Sequence, residues 1–155
     1  MADGDQVEQL LAAFNFAVEI RVPALGAGML CEAAFAECDG LEMTHEVKTI
    51  RQGGDNARQI RLPGPVAYGQ LSLKRGMARD FDLWRWFGAV RDDPRVRAQV
   101  TVTILSADRG AARATFRLSD CLPLKVKAPA LNAREGLVAV EEFQLAYETL
   151  TLVEA

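Results

Sequence analysis

The sequence predicts a mainly β fold, an antiparallel barrel or sandwich with one flanking helix. Three observations point there. Apolar and polar residues alternate with a period of two in segment after segment, turn residues separate those segments, and a single segment repeats at helical spacing.

The elements follow in chain order. Residues 1–13 form a short lead-in. Phe14, Phe16, Val18, Ile20 and Val22 then alternate with Asn15, Ala17, Glu19 and Arg21, the pattern of a half-buried strand. Pro23 stops it, and Gly26 and Gly28 loosen the turn that follows. Residues 29–43 would tolerate a helix through their alanines, but Gly40 and the β-rich surroundings favour a strand. Over 44–52, His45, Val47 and Thr49 alternate with Glu46, Lys48 and Ile50, which predicts another. A polar stretch, RQGGDNARQIRLPG (51–64), ends in Leu62-Pro63-Gly64-Pro65, a run that does not fit a central strand. Residues 66–76 resume as a strand, with Leu71 and Leu73 on one face and Gln70, Ser72 and Lys74 on the other.

The helix is predicted over about 80–92, with Asp80 as N-cap and Asp82 favouring the positive end of the dipole. Leu83, Trp84, Trp86, Phe87 and Val90 make its packing face, and Pro94 stops it. Three strands follow. One, over 97–105, has Val100, Val102 and Ile104 on one face, and its partner returns over 112–129 after the Ala107–Gly110 turn. The last, over 137–153, alternates Phe143, Leu145 and Tyr147 with Glu142, Gln144 and Glu148. Nothing divides the 155 residues, so the prediction is a single domain.

Composition narrows the function. A net charge of −3 and a pI near 5.2 argue against a nucleic-acid or membrane-surface protein. No apolar run is long enough to span a bilayer, and the acidic start lacks the basic region of a signal peptide, so cytoplasmic synthesis is expected. Three cysteines without an export signal imply reduced thiols. Cys31, Cys38 and His45 fall at equal steps of seven, which does not match the spacing of about two to five in zinc sites. No metal or cofactor is therefore expected.

The catalytic search is equally negative. His45 is the only histidine, and no G-x-S-x-G is present. Glu141 and Glu142 are adjacent on a strand and point to opposite faces, so they cannot share a proton; Asp92-Asp93 reads as a solvated helix exit. Gly53-Gly54 lacks the Lys-Ser/Thr and the helix of a phosphate-binding loop. These absences favour a binding or structural protein over an enzyme.

Three blocks read in order carry a resemblance: FNFAVEIRV, then FAECDGLEMTHEVKTIRQGGDNARQIRLPGPVAYGQLSLKRG, then FDLWRWF. Together they resemble the tail tube proteins of contractile phages and the inner tubes of contractile injection systems. The resemblance runs from about Phe14 to the end. It implies a tail-tube barrel shared with the type VI secretion tube protein. Six copies would form a ring, and rings would stack into a hollow tube with no reaction catalysed. Implied partners are further copies of the chain, sheath, baseplate and spike proteins, and cargo in the lumen. The inserted turn in GMLCEAAFAECDGLE departs from the family pattern. The wording around KTIRQGGDNARQIRLPGP and the LKVKAPALNAREGLVAVEEFQLAYE ending resembles the baseplate-proximal tube initiator.

Within that frame, residues 48–64 are expected to form an arm that engages a neighbouring subunit or ring. Its contact residues would be Lys48, Arg51, Gly53, Gly54, Asp55, Asn56, Arg58, Arg61 and Leu62. The polar strand faces Gln70, Ser72, Lys74 and Glu142, Gln144, Glu148 are the two candidates to line a wet lumen. The competing reading is a monomeric barrel that binds a small ligand in one apolar cavity.

Overall fold

A computed structural model describes residues 15–26, 31–33, 35–51, 53, 59–77, 81–134, 136 and 139–154. Period-two alternation does what it predicts in β1 (Phe16–Arg21), where Val18 and Ile20 are buried and Val22 follows them just past the strand. β7 (Ala98–Leu105) pairs with β1 and buries Ala98, Val100 and Val102 on the matching face.

Residues 29–43 do not form the single strand expected. Two three-residue strands stand there, β2 (Cys31–Ala33) on β1 and β3 (Glu37–Asp39) on the far edge of the sheet. Between them Phe35 turns into the core. One apolar anchor thus divides the segment between two distant edges.

β4 (Met43–Arg51) and β5 (Gln59–Tyr68) pair only with each other, as a two-stranded antiparallel ribbon. The strand expected over 44–52 is present as β4, and all nine of its residues are exposed, with no second layer over the ribbon among the described residues. Pro63 and Pro65 sit within β5, tolerated because both strands of such a ribbon are edges. The register shifts between His45 and Val47, and there Gly64 lies so close that a Cβ would stand 2.6 Å from the Glu46 carbonyl oxygen. The ribbon's two strands, Met43–Arg51 and Gln59–Tyr68, reach beyond both ends of the strand-connecting segment expected over 48–64.

The strand expected over 66–76 is likewise two, since the chain breaks at Gly69 before β6 (Gln70–Gly76). Helix α1 (Asp82–Asp92) starts two residues later than predicted, with Phe81 at the cap position and no side-chain cap. The predicted cap, Asp80, lies outside the described residues.

β8 (Ala112–Lys127) is the longest strand and joins the two halves of the sheet. Its first half pairs with β7, and its second half pairs with β9 (Val140–Ala146). Between the halves Asp120 adopts φ +50°, where the register slips. The single last strand predicted over 137–153 breaks at Tyr147–Glu148 into β9 and β10 (Thr149–Glu154), which lie end to end along β8. The order across the sheet is β2-β1-β7-β8-β9-β6-β3, with β10 beside β8. One core holds Val18, Ile20, Val100 and Leu118 together with Leu71, Leu73, Phe143 and Leu145. Trp86 from α1 stacks on Phe143 with ring centroids 5.3 Å apart.

Candidate assembly surface

The predicted contact residues divide sharply. Lys48, Arg51, Arg61 and Leu62 are exposed on the β4–β5 ribbon, and Gly53 stands in the turn beyond β4. Gly54, Asp55, Asn56 and Arg58 lie outside the described residues. Cross-strand pairing sorts the ribbon into two faces. Ile50 pairs with Ile60 and Lys48 with Leu62, so these four share one face. Thr49 with Arg61, and Arg51 with Gln59, share the other. Ile50, Ile60 and Leu62 are all at least 41% exposed, which makes an apolar patch beside a lysine, backed by two arginines.

The helix face serves mainly its own core. Leu83 and Trp86 are fully buried, and Trp84, Phe87 and Val90 are half-buried. The exposed aromatic at this end is Phe81, which the helical spacing did not single out.

Three buried charges were not anticipated. Arg75 reaches Glu141 through Nε and Asp82 through Nη2, and all three residues are buried. Asp82 also accepts from the Leu83 amide at 2.8 Å, and Trp84 Nε1 donates to the second Glu141 oxygen at 3.1 Å. The Arg75 guanidinium lies 5.5 Å from the centre of the Phe35 ring. This triad ties α1 to β6 and β9. Its signal was present in the alternation: Arg75 follows Leu71 and Leu73 at steps of two, and Glu141 precedes Phe143 and Leu145 likewise.

Tyr147 holds the root of the ribbon. Its hydroxyl lies 2.7 Å from the Gly40 carbonyl oxygen and accepts from the Glu42 amide at 3.1 Å. Its ring meets Tyr68 edge-on at 5.8 Å. Tyr147→Phe removes these part-buried bonds to the Gly40 carbonyl and the Glu42 amide. The expected loss is about 1 kcal/mol in a denaturant titration, with the core otherwise intact.

The two candidate lumen faces prove to be one. Ser72 pairs with Gln144 and Lys74 with Glu142, so the polar residues of β6 and β9 share a face that Glu148, beyond the end of β9, does not join. Lys74 lies 3.2 Å from Glu37 and 3.9 Å from Glu142, and Glu37 above all holds its ammonium above the usual lysine range. These residues line an open groove of about 770 Å³, with Phe16, Leu41, Val102 and Ile104 as its apolar part.

Neither described thiol is set up for chemistry. Burial pushes Cys38 up to about 11 and Cys121 up to about 12. In a Cys31→Ser background, iodoacetamide at pH 8 should modify both at least about a hundredfold more slowly than in the unfolded chain. The unfolded chain releases these protons first, so their stabilising effect is complete below about 9 and fades as pH rises towards 11. His45, the only histidine, is exposed and lies 3.3 Å from the Gly64 carbonyl oxygen. Among the described residues no His, Cys, Asp and Glu side chains gather into a metal-binding group, and no helix is long and apolar enough to cross a membrane.

The described ribbon stands exposed beside the sheet, and comparison with known proteins gives the chain's family. The family model for T4-like virus tail tube protein gp19 matches residues 12–151. The chain belongs to that tail tube family. Its structure superposes on a chain of the anti-feeding prophage baseplate at TM-score 0.82 and 25% identity, covering 94% of this chain and 97% of that one. A chain of the PVC extracellular contractile injection system sheath–tube complex gives 0.80 at 18% identity, covering 96% and 95%. Hcp1 from Flavobacterium johnsoniae shares the fold more distantly, at TM-score 0.53 and 11% identity, covering 90% and 96%. No functionally curated protein matches the sequence. Tail tube membership makes the chain a structural tube subunit.

Proposed function

We propose that this tail tube protein forms hexameric rings that stack into the inner tube of a contractile injection system, at the baseplate-proximal end. The observation that carries the assembly reading is the β4–β5 ribbon, whose first strand is exposed at all nine residues while its hydrophobic side chains face water. Exposed apolar ribbons of this kind are a liability in a monomer and an asset in an assembly. Ring closure and axial stacking both use head-to-tail contacts, in which different patches of two copies meet.

The tube-initiator position is supported by the relatives. The baseplate chain is 25% identical, whereas the sheath–tube and tube-terminating cap chains are each 18% identical. Sheath, baseplate and spike proteins are the implied partners. The subunit is assembled in the cytoplasm, and its role is structural rather than catalytic.

Deletion of Gly53–Gln59 tests the reading. The expected product is a folded chain, with an unchanged thermal transition, that no longer stacks in negative-stain images. Tubes of normal length from the deletion variant would show that the ribbon is only a loop. Long tubes from the purified intact chain, formed without a baseplate, would favour a main-tube role over initiation.

A further inference from the structure

We propose that the groove beside β3, β6 and β9 is a docking site for a short, extended basic segment of a protein other than this chain, with apolar side chains inward and lysines or arginines against the groove carboxylates. The inference goes beyond the tube reading and does not depend on it.

The groove joins an apolar wall to an acidic one. Phe16, Leu41 and Ile104 are half-buried and line a space of about 770 Å³, an ordinary size for a ligand cleft. The same space is lined by Glu37, Asp39 and Glu142. Its one cation, Lys74, is already shared, at 3.2 Å from Glu37 and 3.9 Å from Glu142. Asp39 is exposed and has no ion pair among the described residues. Three carboxylates against one ammonium formally leave the groove acidic. Such a surface draws in cations, and the apolar wall then selects those that come with apolar neighbours.

Spacing defines the guest further. Glu37 and Asp39 are two residues apart on β3 and project to one side, about 7 Å from each other. Alternate residues of any extended segment have the same spacing. Two alternate basic residues with apolar ones between or beyond them therefore match the two carboxylates and the nearby Leu41. The chain's own ribbon is a poor match. Its apolar face of Ile50, Ile60 and Leu62 carries only Lys48, because Arg51 and Arg61 lie on the opposite face. The chain as a whole is also acidic, with a net charge of −3. Both observations favour a different protein as the occupant.

The test uses the purified full-length chain and three labelled peptides, read by fluorescence anisotropy. Lys-Val-Lys-Leu-Lys has both features, Lys-Ser-Lys-Ser-Lys keeps only the charge, and Glu-Val-Glu-Leu-Glu keeps only the apolar residues. The first should bind at least about tenfold more tightly than either of the others, and more weakly as salt rises. Glu37→Gln/Asp39→Asn/Glu142→Gln alters exposed or half-buried side chains. That variant should keep the wild-type thermal transition and lose at least about tenfold of the affinity for the first peptide. A photo-crosslinking residue in place of the peptide's valine should label residues 36–41, 102–104 or 142–144. Equal affinity for all three peptides, binding untouched by the triple variant, or labelling elsewhere overturns the proposal. No peptide binding, with a photo-crosslinking residue at Leu41 that labels only further copies of the chain, overturns it as well and assigns the groove to self-assembly. Each of these outcomes leaves the tube reading standing.

Discussion

Arg75→Met is expected to destabilise the fold by about 3–5 kcal/mol, the usual penalty for breaking a buried ion pair from one side. The reason lies in what remains. Asp82 and Glu141 would stay buried without their shared cation. One Asp82 oxygen, Oδ2, already has no hydrogen-bond partner. Arg75→Lys should recover little, because one ammonium cannot repeat a fork that engages two carboxylates through separate nitrogens. By contrast, the triple variant Arg75→Met/Asp82→Asn/Glu141→Leu removes every charge and should lie much closer to wild type. Guanidinium titrations of the three variants check the order. A triple variant as unstable as Arg75→Met would mean that packing, not uncompensated charge, carries the loss. Because Asp82 opens α1 and Glu141 lies on β9, the same titrations measure how firmly the helix is held to the sheet.

The alternation of apolar residues was enough to find β1, β7 and β9 and to choose their inward faces, since these strands have one buried side and a period of two is unambiguous there. It also found β4, but there Val47 is 60% exposed. Alternation reports that one face is apolar and cannot report whether the covering layer belongs to the same chain. Strand breaks were missed for a related reason. The chain from β9 into β10 keeps its strand-like composition, and the break at Tyr147–Glu148 arises because β10 stays on β8 but leaves the edge of β6.

The candidate site was legible in part. Glycines, arginines and prolines marked the arm, because those residues fit a turn, a solvated surface and an edge strand. The groove was not legible, because it draws on strands from both ends of the sheet order. Phe16 and Glu142 become neighbours of one cavity only through the long path of β8. The buried triad lay between these cases. Charged residues at inward positions of β6 and β9 were visible in the pattern, but their third partner comes from the helix, which no strand period locates.

Gly40→Ala is expected to be the most damaging methyl group at any described glycine, destabilising by about 3 kcal/mol or more. Gly40 joins β3 to the root of the ribbon with φ +108°, a conformation that alanine resists. Space is the second obstacle. An added Cβ would stand 1.9 Å from the Gln70 carbonyl oxygen and 3.2 Å from the Leu71 Cα, both backbone atoms of β6, which is paired on both sides by β9 and β3. Neither can rotate away as a side-chain end could, so the corner must open. Opening it would pull the Gly40 carbonyl from Tyr147 and re-aim the whole ribbon. Two effects should therefore appear together, a lower unfolding midpoint and weaker assembly at temperatures where the protein is still folded. Gly53→Ala provides the contrast, since nothing lies within 4 Å of the position its Cβ would take. That variant should change stability by less than about 0.5 kcal/mol. Equal stability of the Gly40 and Gly53 variants would rule out a strained corner at the root of the arm.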